Sequence, residues 1–393
     1  MSNYILISKD AMSIDYLPVY GNKNWKTPNI DELAKKGTVF LNQHTAAPST
    51  VMSFYSMITG KYSHESGFDI YKKSYKKYEG DTFFKKLRKL GYECHIIWAQ
   101  NMMPLREYLD YFHDDVEIHP IDIFRQGVGS HYIHKGFLSR NFEKEKEAFN
   151  IIEEEIKALF VERNNVFLWI HFPHVIKGEV SYGSDIELFD QYVGMIRKYI
   201  SDENITITAD HGNMNGHKGK LGYGFDVYEP NIRVPLITPR INTLETVTIP
   251  TSSLDLYSFL FEKRVEKRDY IFSDSAYRAQ TRRKLAIIHD NYKYIYNKHT
   301  RKEELYDLSF DPDENFSLMS DYTYDKDRKI TVPSRELYYY PKWNELESVR
   351  SNFTKIREQM WDKGKIQSRI ISMVNGVVRP IINAFNEIVK KFK

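Results

Sequence analysis

Three places in the sequence carry side chains suited to holding an ion or moving a proton, and a fourth is crowded with hydroxyls. The apolar run YILIS at 4–8 ends at Lys9-Asp10, and Asp210 and His211 follow NITITA at 204–209. Two carboxylates and an imidazole form a donor set for one divalent ion, zinc or manganese by ligand type, with calcium or magnesium as further options. His217 in NGHKGK is close enough in sequence to face the same crevice as an acid–base or metal contact, and Asn213 lies between, either touching an ion or shaping the turn. His171 and His174 close the stretch WIHFPH: His174 is a substrate contact or a structural histidine, and His171 a strand-end residue. The fourth place is TAAPSTVMSFYSMITG at 45–60, where Thr45, Ser49, Thr50, Ser53 and Ser56 precede Thr59-Gly60. A hydroxyl becomes a nucleophile only if a base or a metal activates it.

The elements that position these residues alternate in type. Apolar runs at 4–8, 38–41, 94–98, 166–171, 204–209 and 233–237 read as strands, and periodic segments at 28–37, 81–90, 141–160 and 184–200 read as helices. A further helix follows Thr50. The alternation predicts a mostly parallel α/β sheet with helices on both faces, over 1–262, and functional groups gather at strand carboxyl ends in such sheets. If Thr50 opens its helix, its oxygen lies at the positive end of the helix dipole, where an anionic substrate would also settle. The competing role for Thr50 is a helix N-cap without chemistry. From 263 to 320 the runs DYIFSDSAY, KLAIIHD, YKYIYN and LYDLSFDPDEN predict a smaller α+β subdomain with an antiparallel sheet.

The 393 residues are 41% hydrophobic and 15% aromatic, enough for a large core. Lys and Arg number 56 against 53 Asp and Glu, so no global field favours nucleic acid. The single cysteine, Cys94, sits in a predicted strand and excludes an internal disulfide or a thiolate-rich metal site. MSNYILISKDAM lacks a signal-peptide pattern, and no apolar run reaches the ~18 residues of a membrane span, so the expected compartment is the cytoplasm. The segment 321–393 is polar and Tyr-rich, then helical with basic ends. Its last part is expected to pack on the body or on another subunit, or alternatively to lie peripherally on an anionic membrane, with Gly376 and Pro380 interrupting it.

TPNIDELAKKGTVFLNQHTAAPST followed by SMITG resembles the N-terminal signature of the sulfatase-like family within the alkaline phosphatase superfamily, and ITADHGNMNGHKG with YEPNIRVPLI resembles that family's second metal segment. RKLAIIHDNYKYIYN and ELYDLSFDPDEN resemble its C-terminal subdomain. Counting back from Thr59-Gly60, the resemblance places the nucleophile at Thr50, with Ser49 and Ser53 as rivals should the register slip. Sulfatases carry there a Cys or Ser that becomes formylglycine, inside C/S-x-P-x-R. Here the Pro and Arg are missing, and Thr cannot become that aldehyde. Ala99 and Asn101 stand where the family's Lys and His would fall. A threonine nucleophile is instead similar to the phosphotransferase branch, lipoteichoic acid synthases and phosphoethanolamine transferases. Those use one divalent ion held by residues matching Asp10, Thr50, Asp210 and His211.

The resemblance thus implies a phosphoryl-transfer enzyme, phosphotransferase or phosphatase, passing through a phospho-threonine. Its substrate would be a phosphate ester, on a glycan or lipid-linked sugar. His217 would assist the transfer, His174 would contact substrate, and Arg233 would buttress the fold or bind phosphate. Sulfate ester hydrolysis is the second reading and a non-catalytic binding protein the third.

Overall fold

The computed structural model describes residues 2–66, 78–98, 115–120, 142–161, 163–174, 182–275, 283–319, 322–325, 330–333 and 345–362. Ala99, Asn101, Gly376 and Pro380, and with them the C-terminal helix, lie outside the described residues.

Eight strands form one sheet in the order β5-β4-β6-β1-β7-β8-β2-β9. They are β1 (Tyr4–Lys9), β2 (Thr38–Phe40), β4 (Glu93–Trp98), β5 (Glu117–Pro120), β6 (Val166–Phe172), β7 (Ile205–Ala209), β8 (Leu236–Thr238) and β9 (Thr246–Val247). β1 is central and runs parallel to both β6 and β7. Its residues are all buried, which a strand covered on both faces requires of YILISK. The sheet is not wholly parallel: β8 runs antiparallel to β7 and to β2. β8 also starts at Leu236 rather than at 233, because Arg233 closes the short helix Glu229–Ile232 before the strand begins.

One face is covered by α1 (Pro28–Lys36) and the helices Phe142–Phe160 and Tyr182–Ile196. Ile30, Leu33, Ile152, Ile156, Phe189 and Val193 pack there on Ile5, Ile7, Leu168 and Ile207. The opposite face is covered by α2 (Thr50–Thr59) and Phe83–Lys89, through Val51, Phe54, Ile58, Phe83 and Leu87 packed on Leu6, Ile96, Phe167 and Trp169. Beside this core β3 (Gln43–His44) pairs with β10 (Thr251–Ser252).

The C-terminal subdomain is a four-stranded antiparallel sheet in the order β11-β12-β13-β14, at Ile271–Asp274, Lys284–His289, Tyr292–Asn297 and Glu303–Asp307. The predicted meander is therefore present. One of its faces takes Leu346, Phe353 and Ile356 from the helix Leu346–Ile356. The other packs Ala286, Ile288, Ile295 and Tyr306 against Met214, Val227, Tyr228 and Ile232 of the large sheet's loops. On that inner face Lys293 is fully buried. Its Nζ meets Glu229 Oε1 at 2.9 Å and Glu314 Oε1 at 2.8 Å, both carboxylates also buried. Glu314 further accepts the Glu229 backbone N–H at 2.7 Å. The subdomain is thus fastened by one ammonium shared between two carboxylates.

Candidate active site

β1 and β7 are neighbours, so their carboxyl ends bring Asp10 and Asp210-His211 together. The turn after β1 is fixed by Ala11, which adopts the left-handed conformation at φ 57°. Its N–H donates to Asp210 Oδ1 at 3.1 Å, and the His211 N–H donates to the same oxygen at 2.8 Å. Asp210 Oδ2 is buried with no hydrogen-bond partner among the described residues. It lies 3.5 Å from His211 Nε2, and Asp10 Oδ1 lies 3.4 Å from that nitrogen.

His211 Nδ1 is 2.9 Å from the Gly212 carbonyl, which can only accept, so Nδ1 donates there and Nε2 is the atom turned toward Asp10, Asp210 and Thr50. The loop holding it needs glycine at 212, since a Cβ there would stand 2.0 Å from the Pro230 carbonyl oxygen. Tyr223 packs on the imidazole with ring centroids 4.4 Å apart.

Thr50 is the first residue of α2, and Ser49 is the N-cap, which assigns the capping position to the neighbour. Thr50 Oγ1 is 3.2 Å from His211 Nε2 and buried. Of the rivals, Ser53 Oγ donates to the Asp210 carbonyl at 2.6 Å and bridges to Thr45, a structural role. Ser49 Oγ is buried with no hydrogen-bond partner among the described residues.

The donor set fits a cation. Ligand atoms of Asp10, Asp210 and His211 all lie within 4.8 Å of one another. Burial raises the Asp10 pKa, and the Asp210 carboxylate raises it further. An imidazole lone pair facing two carboxylate oxygens is repulsive until a positive charge stands between them. Thr50 Oγ1 lies beside this set, 3.2 Å from His211 Nε2.

His171 belongs to this site more closely than its sequence suggests. The β1–β6 register sets it beside Ser8, and its Nε2 reaches to 4.0 Å from Asp210 Oδ2. Its Nδ1 is hydrogen-bonded to Ser8 Oγ at 2.8 Å, and Ser8 also accepts from Trp169 Nε1 at 2.8 Å. Trp98 stacks on the ring with centroids 4.6 Å apart, and Phe54 meets it edge-on. This casing pushes the imidazole pKa down to about 3 through desolvation, so it stays neutral.

His174 Nδ1 lies 3.1 Å from Asp185 Oδ2, an oxygen that also holds Lys9 Nζ at 2.8 Å. Burial works to raise the Asp185 pKa, but Lys9 and His174 hold it below the usual carboxylate value. His174 Nε2 is buried without a hydrogen-bond partner among the described residues, and its ring is near enough to stabilise ionised Asp10. Lys9 thus spends its charge on Asp185.

His217 is not among the clustered ligands. Its ring faces Tyr228 with centroids 6.2 Å apart, and burial lowers its pKa. Asn213 Oδ1 accepts the Asn215 N–H at 3.2 Å, so its amide shapes the turn. Arg233 Nε donates to the Leu41 carbonyl at 2.9 Å, a buttressing contact.

The family model described as Sulfatase matches residues 2–138, which takes in Asp10 and Thr50 and stops before Asp210. An arylsulfatase of Clostridium perfringens is 30% identical over 152 residues, covering 39% of this chain and 28% of that protein. An N-acetylglucosamine-6-O-sulfatase of Bacteroides thetaiotaomicron is 25% identical over 207 residues, covering 49% of this chain and 36% of its own length. The chain therefore spans little more than a third of either relative at most. Among solved structures, a 2-O glycosaminoglycan sulfatase superposes with TM-score 0.68 at 14% identity, over 94% of this chain and 93% of that one. A phosphonate monoester hydrolase of Agrobacterium radiobacter superposes with TM-score 0.62 at 17% identity, over 88% and 96%. The fold is that of these sulfatase and phosphonate monoester hydrolase structures. The relatives lean toward sulfuric esters, not toward the phosphotransferase branch that Thr50 suggests.

Proposed function

We propose that this chain is a metal-dependent hydrolase of the sulfatase kind in which the Thr50 hydroxyl is the nucleophile and the favoured electrophile is phosphorus. The observation that carries this reading is the 3.2 Å approach of Thr50 Oγ1 to His211 Nε2, at a helix N-terminus beside two strand-end carboxylates. Asp10, Asp210, His211 and the Thr50 oxygen would hold the ion. When bound, it would lower the Thr50 pKa and neutralise charge on the transferring group.

The residues supply the rest. Thr50 gives up its hydroxyl proton to solvent, and its Oγ forms a bond to phosphorus as the bond to the ester oxygen breaks, giving phospho-threonine. The departing oxygen needs a proton. His174, oriented by Asp185 at 3.1 Å, is the group that would deliver it. Water then cleaves the phospho-threonine and restores the hydroxyl. His171, neutral and fixed by Ser8, lines the site with its Nε2 4.0 Å from Asp210 Oδ2. A glycan ester is the substrate class, supported by the N-acetylglucosamine-6-O-sulfatase among the relatives.

Sulfate ester hydrolysis is the second reading, favoured by the matched family model and the relatives' names. Against it stands position 50, because a threonine cannot form the aldehyde on which formylglycine sulfatases depend. Rates on an aryl phosphate, an aryl phosphodiester and an aryl sulfate, each with and without divalent metal, separate the two. Phosphoryl turnover with a metal-dependent phosphoryl adduct on the Thr50 peptide is expected. Turnover of the sulfate alone overturns the phosphorus assignment.

A further inference from the structure

A second set of metal-type ligands sits on the same sheet, away from the strand ends. β4 carries Glu93-Cys94-His95 and β5 carries Glu117-Ile118-His119, the same Glu-x-His spacing on neighbouring parallel strands. Residues two apart point to one face of a strand. The register pairs His95 with Glu117, so all four side chains emerge on the face covered by the helix Phe142–Phe160, which adds Glu155. His95 lies three residues, roughly 10 Å, before Trp98 at the carboxyl end of β4.

The inner atoms converge. His95 Nδ1 is 2.9 Å from His119 Nε2 and 3.6 Å from Glu117 Oε2, and His119 Nε2 is 3.9 Å from Glu117 Oε1. A tetrahedral zinc ion with ligands at about 2.0–2.1 Å separates them by about 3.3–3.4 Å, in the middle of that range. The outer nitrogens face carboxylates: His95 Nε2 is 3.0 Å from Glu93 Oε1, and His119 Nδ1 is 3.7 Å from Glu155 Oε2. Neither contact is a formed hydrogen bond, and Glu93 Oε1 also accepts from Arg163 at 2.7 Å, but a carboxylate in this position is the group to which a metal-bound imidazole donates its other N–H. If both outer nitrogens carry their protons, the two inner nitrogens meet as lone pairs at 2.9 Å. That contact needs a proton or a cation between them. The His95 side chain is fully buried.

We propose that His95, His119 and Glu117 bind a zinc-class divalent cation that ties edge strand β5 to β4, separately from the ion of the active site.

The test is stoichiometric. The full chain, stripped with chelator, is titrated with Zn²⁺ by calorimetry alongside His119→Ala, Glu117→Gln and Asp210→Asn. Wild type should take up two equivalents. His119→Ala should take up one, gain less in melting temperature on zinc addition, and keep its ester turnover. Glu117→Gln, changed at an exposed side chain, should weaken the same equivalent by 10-fold or more. Asp210→Asn should lose the other equivalent alone. Two equivalents retained by both His119→Ala and Glu117→Gln, with wild-type affinity, would overturn the assignment. So would zinc uptake in Asp210→Asn that neither His119→Ala nor Glu117→Gln reduces when combined with it, or no uptake there at all. In that case the imidazoles share only a proton.

Discussion

Replacing Lys293 by Met should destabilise the protein strongly, and by an amount that depends on pH. In the native fold one buried ammonium serves two buried carboxylates, and His44 Nε2 stands 3.2 Å from Glu229 Oε2. This support is divided unequally. Burial opposes ionisation of Glu229, yet Lys293 and His44 hold its pKa well below normal, while burial pushes Glu314 up to about 7 despite Lys293. A carboxyl raised from its ordinary 4.5 to about 7 contributes stability that is complete below 4.5 and is lost as pH rises through 7. At about 1.4 kcal/mol per pKa unit that loss is on the order of 3 kcal/mol. Without Lys293 both acids are stranded in a buried interface, and breaking such a pair costs about 3–5 kcal/mol. The corresponding fall in melting temperature is about 4–6 °C, at about 1.2 °C per kcal/mol for 393 residues. Urea unfolding at pH 8 and pH 5 measures it. The loss should approach its full size at pH 8 and shrink to about 1–2 kcal/mol at pH 5, where protonation removes the stranded charges. Adding Glu229→Gln and Glu314→Gln should recover most of the stability at pH 8. A Lys293→Met penalty below about 1 kcal/mol at pH 8, or one equal at both pH values, would refute the shared-ammonium account.

Other outcomes follow from the site. Thr50→Ala should lower ester turnover by more than about 10³-fold in a steady-state assay, while Thr50→Ser keeps a measurable part of it. Gly212→Ala should destabilise by about 1–3 kcal/mol and lower metal affinity, because the added Cβ collides with the Pro230 carbonyl and moves His211; calorimetry and denaturation read the two effects. A divalent ion at 100 times its dissociation constant should raise stability by about 2.7 kcal/mol, and Asp210→Asn should lose the share of that gain owed to the strand-end site. The Cys94 thiol, whose pKa burial raises to about 12, should resist a thiol reagent at pH 8 until the protein is unfolded.

The strand ends were legible because a parallel strand announces itself by an unbroken apolar run, and the residue after it sits at the carboxyl edge whatever the topology. That is why Asp10 and the Asp210-His211 pair could be read from YILIS and NITITA. His171 could not, since its place beside Asp210 depends on which strands flank β1 and in what register. Lys293 reads as a solvent-facing residue in YKYIYN, and its partners lie 64 and 21 positions away, beyond any local pattern. β5 escapes notice for another reason: four residues that end in Pro and carry Glu and His resemble a loop, and only pairing with β4 makes them a strand. Thr50 stands between these cases. Its helix was visible, but the residues alone left the choice among neighbouring hydroxyls open, and only the resemblance, counted back from Thr59-Gly60, pointed to Thr50.

The packing around His171 also makes the active site optically observable. Two indoles touch its surroundings, Trp98 through the stacked imidazole and Trp169 through Ser8. A change of charge at the strand ends alters the electric field on both rings through these neighbours. Tryptophan emission should therefore shift when an ion or an anionic ester enters, so occupancy can be followed in stopped flow without labelling the chain and separately from turnover.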